Sequence, residues 1–147
     1  MEMFMTEWYY NNTPIYSLPE DCVGFVYLIT NMMDGKKYVG KKLAEFTKTK
    51  YKTVTLKDGT KKKKAIKSKT ESDWQIYWGS SDALKADIVK YGEQWFRREI
   101  LHYCKSKSEC NYLEAREQME RRVLESNDYY NNNMQLRVHG SHINGKV

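Results

Sequence analysis

No stretch of this 147-residue chain approaches the roughly 18–20 consecutive apolar residues of a helical membrane span, so no membrane partner is expected. The first dozen residues lack the basic patch and apolar run of a secretory leader; they are acidic and aromatic. Cysteine is sparse and odd in number: Cys22, Cys104 and Cys110. That argues against a disulfide framework and suits a reducing compartment. No pair has CxxC spacing, and Cys104, Cys110 and nearby His102 lack the fourth ligand of a structural zinc site, so free thiols are expected. Apolar residues make up 40% of the chain, with four Trp, twelve Tyr and four Phe. Such a chain can build a core and does not read as disordered. At this length a single domain, residues 1–147, is the expectation.

Acidic residues are nearly missing from one region. Between residues 41 and 69 there are twelve lysines, opposed only by Glu45 and Asp58. They include Lys41, Lys42, Lys48, Lys50 and the run Lys61, Lys62, Lys63, Lys64. This segment alone carries +10 of a whole-chain balance of +6, so the remainder is net −4. A dense cationic segment on a mildly acidic globule is an electrostatic footprint for a polyanion. The plain alternative is a solvated loop with no partner. Asp58-Gly59, between residues 53–56 and the lysine run, favours a tight turn and hence a hairpin that holds the lysines on a defined surface.

Residues 1–21 read as an irregular leader containing Pro14 and Pro19, with Trp8, Tyr9 and Tyr10 as aromatic anchors. Residues 24–30 and 36–43 read as two strands joined at Asp34-Gly35. After the basic excursion, Ser80-Ser81 caps a helix over 82–91, with Leu84, Ile88 and Tyr91 on one face and Gly92 closing it. Residues 95–104 read as a third strand. Ser108 is expected to cap a second helix running to about Glu125, with Tyr112, Met119 and Val123 near one face. The expected fold is therefore α+β: a small antiparallel sheet of about three strands flanked by helices, with an inserted basic hairpin.

At the first hairpin the residues become diagnostic. Gly24 to Asn31, followed by Lys37-Tyr38-Val39-Gly40-Lys41, resembles the paired signature of the GIY-YIG nuclease family. The first tripeptide is degenerate, Phe25-Val26-Tyr27; the second, Tyr38-Val39-Gly40, is close to the family pattern. The helix to Gly92 and the strand from Phe96 are similar to the family's next segment. Glu120 to Leu124 with Tyr130-Asn131 resembles its glutamate helix and terminal Tyr-Asn element. The resemblance covers about 24–135, with a basic insertion at about 44–73, and is strongest to short free-standing endonucleases of the homing type and Seg-like kind encoded by bacteriophages.

That resemblance implies a metal-dependent DNA endonuclease acting in the cytoplasm of a bacterial host. Its cofactor would be Mg²⁺ or Mn²⁺, with no small-molecule cofactor, and two copies would pair on DNA where both strands are cut. Phosphodiester hydrolysis needs an activated water, neutralised phosphate charge and help for the leaving oxygen. By analogy Tyr27 is the general base or a proton relay, and Tyr38 orients water or phosphate. A phenol of pKa about 10 needs a nearby cation for such work. Lys41 neutralises the phosphate, and Asn131 braces the site. Glu120 is the implied metal ligand, because Val123 and Leu124 at +3 and +4 and the following Tyr-Asn match the family spacing; Glu117 and Glu114 are the alternatives. The family's arginine after the second tripeptide is missing, with Lys42, Lys48 or Lys50 as replacements, and Tyr77 is a further residue for the site. Lys42, Lys48, Lys50 and Lys61 to Lys64 are the DNA-backbone contacts. His139 and His142 are DNA contacts or tail. The degenerate first tripeptide and absent arginine keep one rival open, a catalytically inactive nucleic-acid-binding module on the same fold; a scaffold that binds an acidic protein is the third reading.

Overall fold

A computed structural model describes residues 7–135; His139 and His142 lie outside the described residues, as do residues 1–6 of the leader. Strands β3 (Gly24–Asn31), β4 (Lys37–Leu43) and β7 (Phe96–Cys104) form the expected antiparallel centre. β3 lies between the other two and is buried along almost its whole length. An apolar strand covered on both faces is the reason its sequence runs rather than alternates.

The sheet is wider than the sequence indicated. The leader is not irregular: Trp8–Tyr10 (β1) and Thr13–Ile15 (β2) pair as a hairpin, giving a five-stranded sheet of order β2-β1-β7-β3-β4. β1 runs parallel to β7, so the sheet is mixed. The turn is Asn11-Asn12, with φ of 49° and 63°. Asparagine tolerates that left-handed conformation, and two such residues match a two-residue hairpin loop. Trp8 is fully buried against Phe25 and Tyr27, its ring edge-on to both.

The fifth and sixth strands stand apart. β5 (Glu45–Thr55) and β6 (Lys61–Glu71) pair only with each other, eleven residues each, in unbroken antiparallel register. Gly59, at φ 86°, makes the turn. Ser72 N–H donates to the Ala44 carbonyl, and Ala44 N–H to the Val23 carbonyl, which ties the base of this ribbon to the sheet.

Helix α1 (Asp82–Tyr91) begins as expected: Ser81 Oγ accepts from Leu84 N–H, and Leu84 and Ile88 are buried. It packs over the sheet face that holds Phe25, Tyr27 and Ile29. Helix α2 (Lys107–Glu120) covers the opposite face, where Leu113 and Cys110 meet Val26, Leu28 and Val39. Both ends of α2 differ from the sequence reading. Its cap is Ser106, whose Oγ accepts from Glu109 N–H, rather than Ser108. It stops at Glu120, because Arg122 turns left-handed at φ 52° and a short 3-10 turn, Val123–Glu125, follows. All three cysteines are free and buried.

Candidate active site

β4 is the outer strand of the sheet, and its free edge is where the site forms. The edge is partly closed by the chain after α2. Lys37 N–H donates to the Asp128 carbonyl, Tyr130 N–H donates to the Lys37 carbonyl, and the Asn131 side-chain amide pairs with both the N–H and the carbonyl of Val39, at 3.0 and 2.8 Å. An amide side chain presents one acceptor and two donors, so Asn131 stands in for one residue of a neighbouring strand. Gln118 Nε2 also donates to the Val39 carbonyl, at 3.1 Å. Beyond Val39 the edge opens at Gly40 and Lys41 into a cleft of about 500 Å³.

Tyr27 and Tyr38 project from the α1 face of the sheet, since Tyr27 lies opposite Gly40 and Tyr38 opposite Ile29 in register. Lys41 and the α2 residues Asn111, Glu114 and Gln118 reach the cleft from the other face. The two sets meet around the edge because Gly40 has no side chain. A Cβ there would lie 2.5 Å from Tyr27 Oη and 2.9 Å from the Tyr38 ring. Gly79, at φ +87°, closes the other side, where a Cβ would lie 3.4 Å from Tyr27 Oη. Gly40→Ala is therefore expected to cost about 1–3 kcal/mol, the usual penalty for overfilling a packed site. A chemical-denaturation midpoint that stayed at the native value would contradict this cradle.

Tyr27 is 1% exposed, with the Tyr77 ring edge-on at 6.0 Å and the Tyr38 ring at 6.1 Å. Burial, then the neighbouring phenols, push its ionisation far above the ordinary value. Tyr38 is half-buried, and its hydroxyl lies 3.0 Å from Ser80 Oγ. Burial raises its pKa too, while the Ser80 hydrogen bond opposes the rise. Lys41 Nζ donates to Asn111 Oδ1. Burial lifts the Glu114 carboxyl above the usual carboxylate range, although Lys41 pulls the other way.

The structure places Glu120 away from the cleft. Its carboxylate is 66% exposed, lies outside the cleft and sits 4.0 Å from Arg116. Val123 and Leu124 would report which way Glu120 faces only in a helix that ran through Leu124, and α2 ends at Glu120. Glu117 is also elsewhere, paired with His102 at 2.7 Å and Arg121 at 3.0 Å. Glu114 is the glutamate that lines the cleft. Asn111, Glu114 and Gln118 fall at i, i+3 and i+7, one stripe of a helix; counted from a cap at Ser106-Lys107-Ser108-Glu109, that stripe was legible.

Of the expected residues, Tyr27, Tyr38, Lys41 and Asn131 come together; Lys42, Lys48 and Lys50 do not line the cleft. Lys42 is ion-paired to Asp73 at 2.6 Å, and its ammonium lies over the Tyr77 ring at 4.2 Å. Lys48, Lys50 and Lys61 to Lys64 are exposed on the ribbon. The sequence reading missed Ser80, Asn111 and Gln118 as cleft residues, and it missed Arg98 behind them. Arg98 is 2% exposed, lies between the Trp8 ring at 4.7 Å and the Trp78 ring at 4.1 Å, and donates to the Tyr77 carbonyl at 2.7 Å. It fixes the segment that carries Tyr77 and Gly79. Burial brings its pKa down to about 10, so it stays charged at neutral pH.

The tyrosines of the two tripeptides, Tyr27 and Tyr38, stand together over the bare Gly40 at the edge of a mixed sheet, with Glu114 of α2 lining the same cleft. The profile of the family described as "Putative endonuclease segE, GIY-YIG domain" matches residues 8–134, and the chain belongs to this GIY-YIG family. A protein named "Putative endonuclease segE", from Enterobacteria phage T4, is 34% identical over 107 residues, 73% of this chain. Those residues span 39% of that relative's length. No solved structure matches the chain.

Proposed function

We propose that the chain is a DNA endonuclease that hydrolyses phosphodiester bonds in the cleft at the β4 edge. The observation that carries the reading is the meeting of Tyr27, Tyr38, Lys41 and Glu114 in one cleft of a chain belonging to a GIY-YIG family. We read residues 24–135 as the nuclease core, the ribbon as an insertion into it, and its lysines as contacts to the DNA backbone.

Lys41 offers its ammonium to the scissile phosphate. Tyr38, in contact with Ser80, holds and passes on the proton of the attacking water. Tyr27 remains neutral and fixes the geometry of Tyr38 and Gly40. The donor set fits a hard divalent cation, Mg²⁺ or Mn²⁺, held through the single carboxylate of Glu114. Such cations often use one or two carboxylates and keep water for the rest. Among the described residues no three Asp, Glu, His or Cys side chains converge, and burial disfavours the ionised Glu114 even with Lys41 beside it, a cost that a bound cation would offset. When bound, the ion would neutralise phosphate charge as a Lewis acid.

The phage origin of the matching relative supports placing the activity in the cytoplasm of a bacterial host; among the described residues no helix is long and apolar enough to cross a membrane. One cleft cuts one strand at a time, so pairing of two copies is needed only for concerted double-strand cutting. Supercoiled plasmid incubated with Mg²⁺ should first become nicked circle, and chelation should stop it. Plasmid retained on a gel yet left intact with both Mg²⁺ and Mn²⁺ would favour the inactive binding module. Loss of both retention and cutting would remove DNA as the partner.

A further inference from the structure

The β5–β6 ribbon is built unlike a sheet element that packs. Residues directly opposite in an antiparallel pair share a face, and faces alternate along each strand. In this register one face carries Lys48, Lys50, Lys52, Lys62 and Lys64, and the other carries Lys61, Lys63, Lys67 and Lys69. Neither face is covered: every residue of β6 is exposed, Tyr51 is 71% exposed and Ile66 45%. Lys52 lies directly opposite Lys64, a like-charge pair that destabilises a free ribbon. A strip meant to lie flat on a phosphate row needs lysines on one face only. Cations on both faces suit a strip with phosphates on both sides.

We propose that the ribbon enters the major groove of duplex DNA edgewise between the two phosphate rows, each lysine face reaching one row. The inference rests on the endonuclease reading and deepens it by specifying the substrate as B-form duplex. Dimensions support it. Eleven residues at ~3.3 Å each make an arm of about 36 Å, close to one helical turn of DNA. The major groove, about 12 Å wide, admits a two-stranded ribbon. The deep, narrow major groove of duplex RNA does not. The arm also starts beside the chemistry: Lys41 in the cleft and Glu45 at the base of the ribbon are separated by three residues on one continuous run of chain. Seating the arm in the groove therefore brings the adjoining phosphodiester to the cleft.

The test uses the full chain with chelator, so that DNA is bound and not cut, and reads fluorescence anisotropy of labelled nucleic acid over a range of salt. One triple variant changes a single face (Lys50→Ser, Lys52→Ser, Lys64→Ser), and a second changes the other (Lys61→Ser, Lys63→Ser, Lys67→Ser). Each should weaken duplex binding and flatten the dependence of log K on log salt by about 2–3, roughly 0.9 per lost phosphate contact. Duplex DNA whose thymines carry bulky C5 groups, which fill the major groove, should bind at least ~10-fold more weakly, as should duplex RNA and single-stranded DNA. The inference is overturned if one face alone matters, if the filled groove binds like the open one, or if single strands compete equally. Should it fail while the native chain with Mg²⁺ still cuts plasmid, the endonuclease reading stands without the groove. Should the native chain neither bind nor cut duplex, both fall together.

Discussion

Replacing Glu114 with glutamine should slow cleavage sharply and stabilise the fold at once. The rate should fall by about 10²–10³-fold, the scale on which removal of one preorganised electrostatic group acts. The stability effect follows from the direction of the carboxyl's shift. Burial raises the Glu114 pKa above the unfolded value, so its contribution to stability is intact below the ordinary carboxyl range of about 4.3 and is lost as pH rises through the raised value. At neutral pH the ionised group is a net cost, which glutamine removes while keeping an acceptor oxygen. A higher Tm than that of the native chain is therefore expected at pH 7, and the difference should vanish below pH 4. Added Mg²⁺ should raise the Tm of the native chain and leave that of the glutamine variant unmoved, as for a ligand that binds only the folded native site. Glu120→Gln should cut DNA normally, since that carboxylate is exposed and outside the cleft. Normal cutting by the Glu114 variant, or loss of cutting by the Glu120 variant, would return the metal role to the end of α2.

The contrast between those two glutamates shows where sequence reasoning works on this chain. Elements bounded by local chemistry were legible: β3 and β4 from Asp34-Gly35, the ribbon from Asp58-Gly59, and α1 from Ser81 and Gly92. The tyrosines followed from the two tripeptides, because register across one hairpin fixes which face each occupies. The glutamate did not, because it depends on where α2 stops. Nothing at residues 120–124 is a glycine or proline, and the left-handed turn is made by Arg122, a residue type with no preference for it. Extending the apolar period through Val123 and Leu124 therefore ran past the end of α2 and pointed to Glu120, which the structure places outside the cleft that Glu114 lines. β1 and β2 were missed for a different reason. The pairing of β1 with β7 joins residues about ninety positions apart, β2 pairs only with β1, and only the Asn11-Asn12 turn announces the hairpin locally. Arg98 was illegible in kind: either of the adjacent Arg97 and Arg98 in a strand pattern reads as solvent-facing until Trp8 and Trp78 arrive from two remote segments to sandwich Arg98.

Tyr38→Phe should lower cleavage by roughly 10²–10⁴-fold, the range attributed to a positioned proton-transfer group, with Tm and DNA retention nearly unchanged. The structure distinguishes the two phenols by what ionisation costs each. Tyr27 is sealed between Gly40 and Gly79, and burial drives its pKa far up; a phenolate there would face two other phenols and Glu114. Tyr38 is only half-buried, and its hydroxyl can pass a proton through Ser80. Because burial still raises the Tyr38 pKa above the ordinary phenol value near 10, its neutral form dominates at physiological pH. The logarithm of the native rate should therefore climb with pH without a plateau near neutrality. Ser80→Ala removes the hydrogen bond that holds the Tyr38 pKa down, so it should lower the rate about 10-fold and displace the pH profile to the alkaline side. A purely structural role for Ser80 would lower the rate without displacing that profile. Tyr27→Phe keeps the ring in its cradle and should lower the rate less than Tyr38→Phe. If instead Tyr27→Phe is the more damaging at unchanged Tm, the buried phenol carries the proton and Tyr38 only positions the phosphate.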